Sequence, residues 1–240
     1  MRIALLSVVA LVSLVAFADP RDSGTPGHVE QNVEGWTVRV DRRLVDGEDA
    51  ARGKRALDLL RARLVAIATV VPESPLARLR AVKIQLDRDV PGLEAMQYHP
   101  SAEWLEAHGY SRDLARCVHI PSVDDFLSPF ENHRMPWVVL HELAHAYHDQ
   151  VLGFDEPRVA AAWEAFRAQA ATQSVLTSPG GTREHYGRTN PQEFFAEMTE
   201  SYFGSNDFYP FVAGELEHSD PATFALLADL WGPLPGRAAK

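Results

Sequence analysis

Cysteine is almost missing from this chain: its 240 residues hold one, Cys117. A lone cysteine forms no internal disulfide, so packing or a bound metal has to hold the fold together. The residues before it hold no thiol, which excludes an inhibitory leader that works through a cysteine and a lipid anchor on a cysteine near the N-terminus. Cys117 itself lies in the apolar run Cys117-Val118-His119-Ile120, which predicts a buried, inert thiol. Positive charge is also short: 23 Lys and Arg face 33 Asp and Glu, for a formal charge of −10. That excess argues against nucleic acid as a partner and gives no reason to expect attraction to anionic lipid. Internal repeats and low-complexity tracts are missing as well.

Long apolar runs are scarce, and the one present sits at the start. Met1-Arg2 is a short positive beginning, Ile3 to Phe17 is almost wholly apolar, and Ala16-Phe17-Ala18 is an A-x-A cleavage signal before Asp19. The run is shorter than the ~20 residues a spanning helix needs, so it reads as a secretory signal peptide over residues 1–18. The expected address is secreted or periplasmic. Cleavage would remove Arg2 and no acid and would move the formal charge to −11. The mature chain is then long enough for one domain or a small pair, with a sizeable core.

Residues 19–34 are rich in Gly, Pro and polar side chains and read as a flexible leader, with the folded domain over 35–240. Gly35 to Val40 and Ala81 to Leu86 alternate like half-buried strands, and Ala115 to Ile120 reads as a third strand ended by Pro121. Glu48 to Val71 has the helical period, with Ala56, Leu59, Leu60, Leu64 and Ile67 on one side and Pro72 as its stop. Ser101 to Ala107 is a short helix. Later come a helix from Pro136 to before Gly153, another from Pro157 to about Ala171, and a loop from Ser174 to Thr189. Helices from Asn190 to Phe203, Phe208 to Glu217 and Pro221 to Trp231 follow. Strands early and helices late predict an α+β fold, mostly helical with a small sheet.

The helix after Pro136 carries His141-Glu142-Leu143-Ala144-His145, the pattern H-E-x-x-H. Residues i and i+4 share a helix face, so two imidazoles spaced this way can grip one metal ion. A catalytic zinc takes three protein ligands and keeps a place for water. A glutamate beside the first histidine is then placed to act as general base on that water. The third ligand has to come from elsewhere. The pattern H-E-x-x-H-x-x-G-x-x-H is excluded, because His148 stands where it needs Gly and Val151 where it needs His. His148 shares the ligand face, but three ligands from one straight helix surround a tetrahedral ion poorly. Asp149 is left as either a support for the site or a solvated side chain.

Glu193 has two readings. With Asn190 as N-cap and Pro191 at the first helical position it falls where a capping-box carboxylate sits. With two histidines in need of a third ligand, the metal reading prevails. Glu197 lies one turn on and is expected to accept the free ring N–H of a ligand histidine, while Glu200 extends an acidic row that a solvated face would also explain. An oxyanion donor is useful in amide hydrolysis, and Tyr186 and His185 serve equally on residue chemistry alone.

The segment Tyr186-Gly187-Arg188-Thr189-Asn190-x-x-Glu193-Phe194-Phe195-Ala196-Glu197, taken with His141-Glu142-x-x-His145, resembles the catalytic domain of anthrax toxin lethal factor and the stand-alone bacterial proteins related to it. The resemblance covers roughly residues 137–203. It implies a zincin-like metalloprotease fold with one catalytic zinc held by His141, His145 and Glu193. By the same match Glu142 is the general base, Tyr186 rather than His185 stabilises the intermediate or donates a proton, and Glu197 supports a ligand. The toxin's delivery and recognition domains have no counterpart here, so no substrate preference transfers.

The expected activity is hydrolysis of peptide bonds in a protein or peptide substrate outside the cytoplasm. An exported zinc-binding pseudoprotease is the rival, although a pure binder has no use for Glu142. A zinc hydrolase acting on a non-peptide amide is the third reading. A groove beside a sheet edge would favour peptides, and Ala115 to Ile120 is the expected edge strand.

Overall fold

The computed structural model of the chain describes residues 27–93 and 95–236. The expected signal peptide lies outside these residues, as does the leader up to residue 26. Among the described residues no helix is long and apolar enough to cross a membrane.

Strands β1 (His28–Val33) and β2 (Trp36–Asp41) form an antiparallel hairpin closed by the pair Val33 and Trp36. The two turn residues, Glu34 and Gly35, have φ of 53° and 95°. Positive φ at both matches the turn that the right-handed twist of a tight hairpin favours. A Cβ on Gly35 would meet the Arg80 side chain at 2.8 Å. The expectation of a loose leader over 19–34 therefore fails from His28 onward. Too few apolar residues mark β1 as a strand; its pairing with β2 supplies the order. In β2 the alternation is real: Trp36, Val38 and Val40 are fully buried.

Helix α1 (Ala50–Val70) buries Ala56, Leu60, Leu64 and Ile67 as its period predicts, with Gly53 beside them, while Leu59, expected on that side, is only half-buried. Pro72 ends that run and starts α2 (Glu73–Arg80), which the sequence reading missed. Together they make the crossover to β3 (Lys83–Leu86), parallel to β2. Next come β4 (Gln97–Tyr98), α3 (Ala102–Ala107) and β5 (Cys117–Ile120). The sheet order is β1-β2-β3-β5-β4, with β3 and β5 parallel and β4 antiparallel to β5. β5 is thus interior and buried along its length, and the edge near the site is β4, not Ala115 to Ile120 as expected. A two-residue strand has no periodicity to read. Cys117 is buried, and burial pushes its thiol up to about 12, as an inert group requires.

Two short helices, α4 (Val123–Phe126) and α5 (Pro129–Arg134), are capped by Ser122 and Ser128 and lead to α6 (Val138–Tyr147). α6 starts two residues later than Pro136, which sits in the turn before it. It continues as one π-helical turn, His148–Leu152, and stops at Gly153 with φ 86°. Helix α7 (Pro157–Ala168) follows. The expected loop over 174–189 contains a small hairpin, β6 (Val175–Leu176) with β7 (Thr182–Arg183), and a 3-10 turn at Tyr186–Arg188. Helix α8 (Pro191–Phe203) is bounded as predicted.

The helix expected from Phe208 to Glu217 is only α9 (Ala213–Ser219). Phe208 bridges to Thr177, the Tyr209 N–H donates to the Leu176 carbonyl, and Pro210 has no N–H to give a helix. Helix α10 (Pro221–Trp231) closes the chain as predicted. α6 packs along α8 and touches β4 and β5, so it joins the sheet to the later helices. The result is an α+β fold, mostly helical with a small sheet.

Candidate metal centre

α6 presents His141 and His145 one turn apart, their rings edge to face with centroids 4.8 Å apart. α8 brings Glu193 against both. Its Oε2 lies 3.2 Å from His141 Nε2 and 3.3 Å from His145 Nε2. Donors bound to one tetrahedral ion at zinc distances are separated by about 3.4 Å. Glu193 therefore already sits at ligand spacing from both histidines, and the three side chains can hold a metal ion.

Asn190 shows why Glu193 is free to do this. The Asn190 Oδ1 accepts the Glu193 N–H at 2.8 Å, so the cap is made from the asparagine side. The Glu193 carboxylate turns to the histidines. Burial opposes its charge, but hydrogen bonds with His141 and His145 outweigh that and hold it at about 2.

The partner of the other His141 nitrogen differs from expectation. His141 Nδ1 is 2.7 Å from Glu200 Oε1 and 3.9 Å from Glu197 Oε1. Glu200, read as part of a solvated face, is the carboxylate that takes the ring N–H. Glu197 stands behind it, with Oε2 4.0 Å from His185 Nδ1. Both glutamates are buried, and burial raises their pKa values, with mutual repulsion adding at Glu197. Asp207 is raised by burial too, and Arg134 lies 3.4 Å from it. At His141 burial works against protonation, but Glu193 and Glu200 push its pKa well above the ordinary value. A site with this many buried carboxylates favours a cation. His141, Glu197 and Glu200 form a second close group, but it uses the Nδ1 that a neutral imidazole keeps as N–H when Nε2 is a ligand.

Glu142, between the histidines, is buried, and burial raises its pKa. Its Oε2 accepts the backbone N–H of Tyr98 at 2.7 Å. The sheet register explains that bond. His99 directs its N–H and carbonyl at β5, so the alternate residue Tyr98 turns its amide away from the sheet. The Tyr98 hydroxyl donates to Asp149 Oδ2 at 2.6 Å, which pins β4 to the π-helical turn. Asp149 thus supports the sheet edge, and it belongs to neither candidate metal group among the described residues.

Tyr186 and His185 part company. Tyr186 is 47% exposed and lines the same cavity as Glu142, His141, His145 and Glu193, a space of about 590 Å³. Burial and then Glu193 raise its phenol. His185 is buried against Phe166 and Phe208, accepts the Gly187 N–H on Nδ1, and is lowered to about 3 by burial. His148 is buried between Phe154 and Phe195 with neither ring nitrogen bonded, and it joins no ligand group.

One constellation had no sequence signal. His28 and His119 each place Nε2 on Asp87, at 2.6 and 2.8 Å, and His99 Nε2 lies 3.2 Å from His119 Nδ1. These residues are 59, 32 and 20 positions apart, and only the sheet joins them. Burial opposes the Asp87 charge, yet the bonds from His119, His28 and Gln85 hold its carboxyl well below the usual range. The chain matched no family model, no curated protein and no solved structure.

Proposed function

We propose that the protein is an exported zinc-dependent metallopeptidase of zincin-like fold. The observation that carries this is the pair of 3.2 and 3.3 Å separations between Glu193 and the two histidines, which line one cavity together with Glu142. The donor set is two imidazoles and one carboxylate, which suits zinc. The resemblance of Tyr186 to Glu197 to the lethal factor catalytic domain supports the same reading.

Zinc held by His141, His145 and Glu193 would lower the pKa of its water to about 7 and polarise a substrate carbonyl. Glu142 is placed to take the proton from that water. The Tyr98 amide fixes one of its oxygens, and its raised pKa suits a group that must accept a proton and then give it to the leaving amine. The Tyr186 phenol faces the same cavity and can donate to the carbonyl oxygen as that oxygen gains charge. Glu200 fixes the ring and tautomer of His141. An extended substrate fits better than a small amide, because the cavity runs along Ala95 to Tyr98 at the sheet edge.

The test is zinc content together with cleavage of an unfolded protein, for the chain and its Glu142→Ala variant. Equimolar zinc in both, with cleavage lost by a factor of about 10³ or more in the variant, is the expected outcome. Zinc in both with cleavage in neither would favour the binding module, and no zinc in either would end the reading.

A further inference from the structure

The edge strand does not end at the metal-binding cavity. Gln97 and Tyr98 line that cavity and also line a second one, of about 320 Å³, together with His99, Pro100, Ser101 and Trp104. Trp104 is 46% exposed. It is held in place rather than loose: its ring stacks on His108 at 4.0 Å and 21°, and the Tyr110 ring lies nearly parallel at 6.3 Å. Ser101 caps the helix that carries it, accepting the Trp104 N–H. A fixed aromatic surface beside a cavity is the kind of feature that anchors partner side chains.

The lining carries no carboxylate and no lysine or arginine. Its one titratable imidazole, His99, is lowered to about 4 by burial and then by His119, so it is neutral at pH 7. An uncharged occupant is therefore favoured. Position then names it. Gln97 and Tyr98 line both cavities and the Tyr98 amide holds Glu142, so a peptide laid along β4 at the first cavity reaches the second within a few residues.

We propose that this cavity is a specificity subsite, which takes an aromatic or large aliphatic side chain of the peptide substrate a few residues from the scissile bond, with Trp104 as its wall. The inference rests on the peptidase reading above. It assigns selectivity to a side chain that touches neither the metal ligands nor Glu142.

The experiment is cleavage of a peptide library, with cut sites read by mass spectrometry, for the full chain and for Trp104→Ala and Trp104→Phe. The unmutated protein should prefer Phe, Tyr, Trp or Leu over Ala at one fixed position near the cut by about tenfold or more in kcat/KM. In Trp104→Ala that ratio should collapse toward one at that position alone, and Trp104→Phe should keep most of it. Ratios left unchanged in Trp104→Ala, or weakened equally at every position, would overturn the subsite while leaving the peptidase reading intact. Failure of the unmutated, zinc-loaded protein to cut any peptide would overturn both.

Discussion

His141 is gripped at both ring nitrogens by carboxylates from one helix, Glu193 on Nε2 and Glu200 on Nδ1. The second contact decides how well the first can serve a metal, because an acceptor on Nδ1–H fixes the tautomer and makes Nε2 the better donor. Glu200→Gln keeps an acceptor but removes its charge, and it should weaken zinc binding about tenfold or more, measured by competition with a chelator. Glu197→Gln, 3.9 Å from the same nitrogen, should cost less. Equal losses in the two variants would mean that Glu197 shares the role. The choice between them was not legible in sequence: both fall on the inward face of α8, four and seven residues after Glu193. Which one meets His141 depends on how α8 lies against α6.

At the scale of elements, α8 was the most legible part of the chain. Asn190 and Pro191 mark its start, and the structure keeps that start and the expected end at Phe203. A Cβ on Gly204 would meet the Trp137 ring at 2.2 Å, so the helix stops where it meets the entry to α6. The cap also aims Glu193. Asn190→Ala should lower stability by about 1 kcal/mol in urea unfolding, and zinc affinity should fall with it as the first turn frays. Unchanged zinc affinity would show that contacts with α6 alone hold Glu193 in place. β4 was the least legible element. It is two residues long, yet it supplies the amide that holds Glu142 and forms the sheet edge.

For the whole molecule, stability against acid is governed in part by imidazoles folded into apolar surroundings. Burial lowers His148 to about 4, while in the unfolded chain it titrates near 6.5. Above pH 6.5 neither state binds the proton and His148 contributes nothing to the pH dependence. As pH falls from 6.5 to about 4 the unfolded chain takes a proton that the folded one refuses, so stability is lost across that window. The metal-free His148→Leu variant should gain on the parent by up to roughly 3 kcal/mol between pH 7 and pH 4, read from urea midpoints at each pH. A constant difference across that range would mean that His148 takes up its proton as readily in the fold as in the unfolded chain. The groups raised by their surroundings, His141 and Glu142 among them, are common to both proteins and cancel in the comparison.

Sequence alone determined what depends on neighbours along the chain: the H-E-x-x-H spacing, the cap and bounds of α8, the buried stripe of α1, and the alternation in β2. Short-range geometry fixes these, because a helix places i and i+4 together and a strand alternates whatever surrounds it. Tertiary structure decided what depends on approach from far along the chain. It turned β1 from expected leader into a paired strand and made β4 rather than β5 the sheet edge. It chose Glu200 over Glu197 and built the His28–Asp87–His119–His99 chain. Each of those outcomes is a contact between segments whose separation carries no local pattern, so it exists only once the helices and sheet have packed.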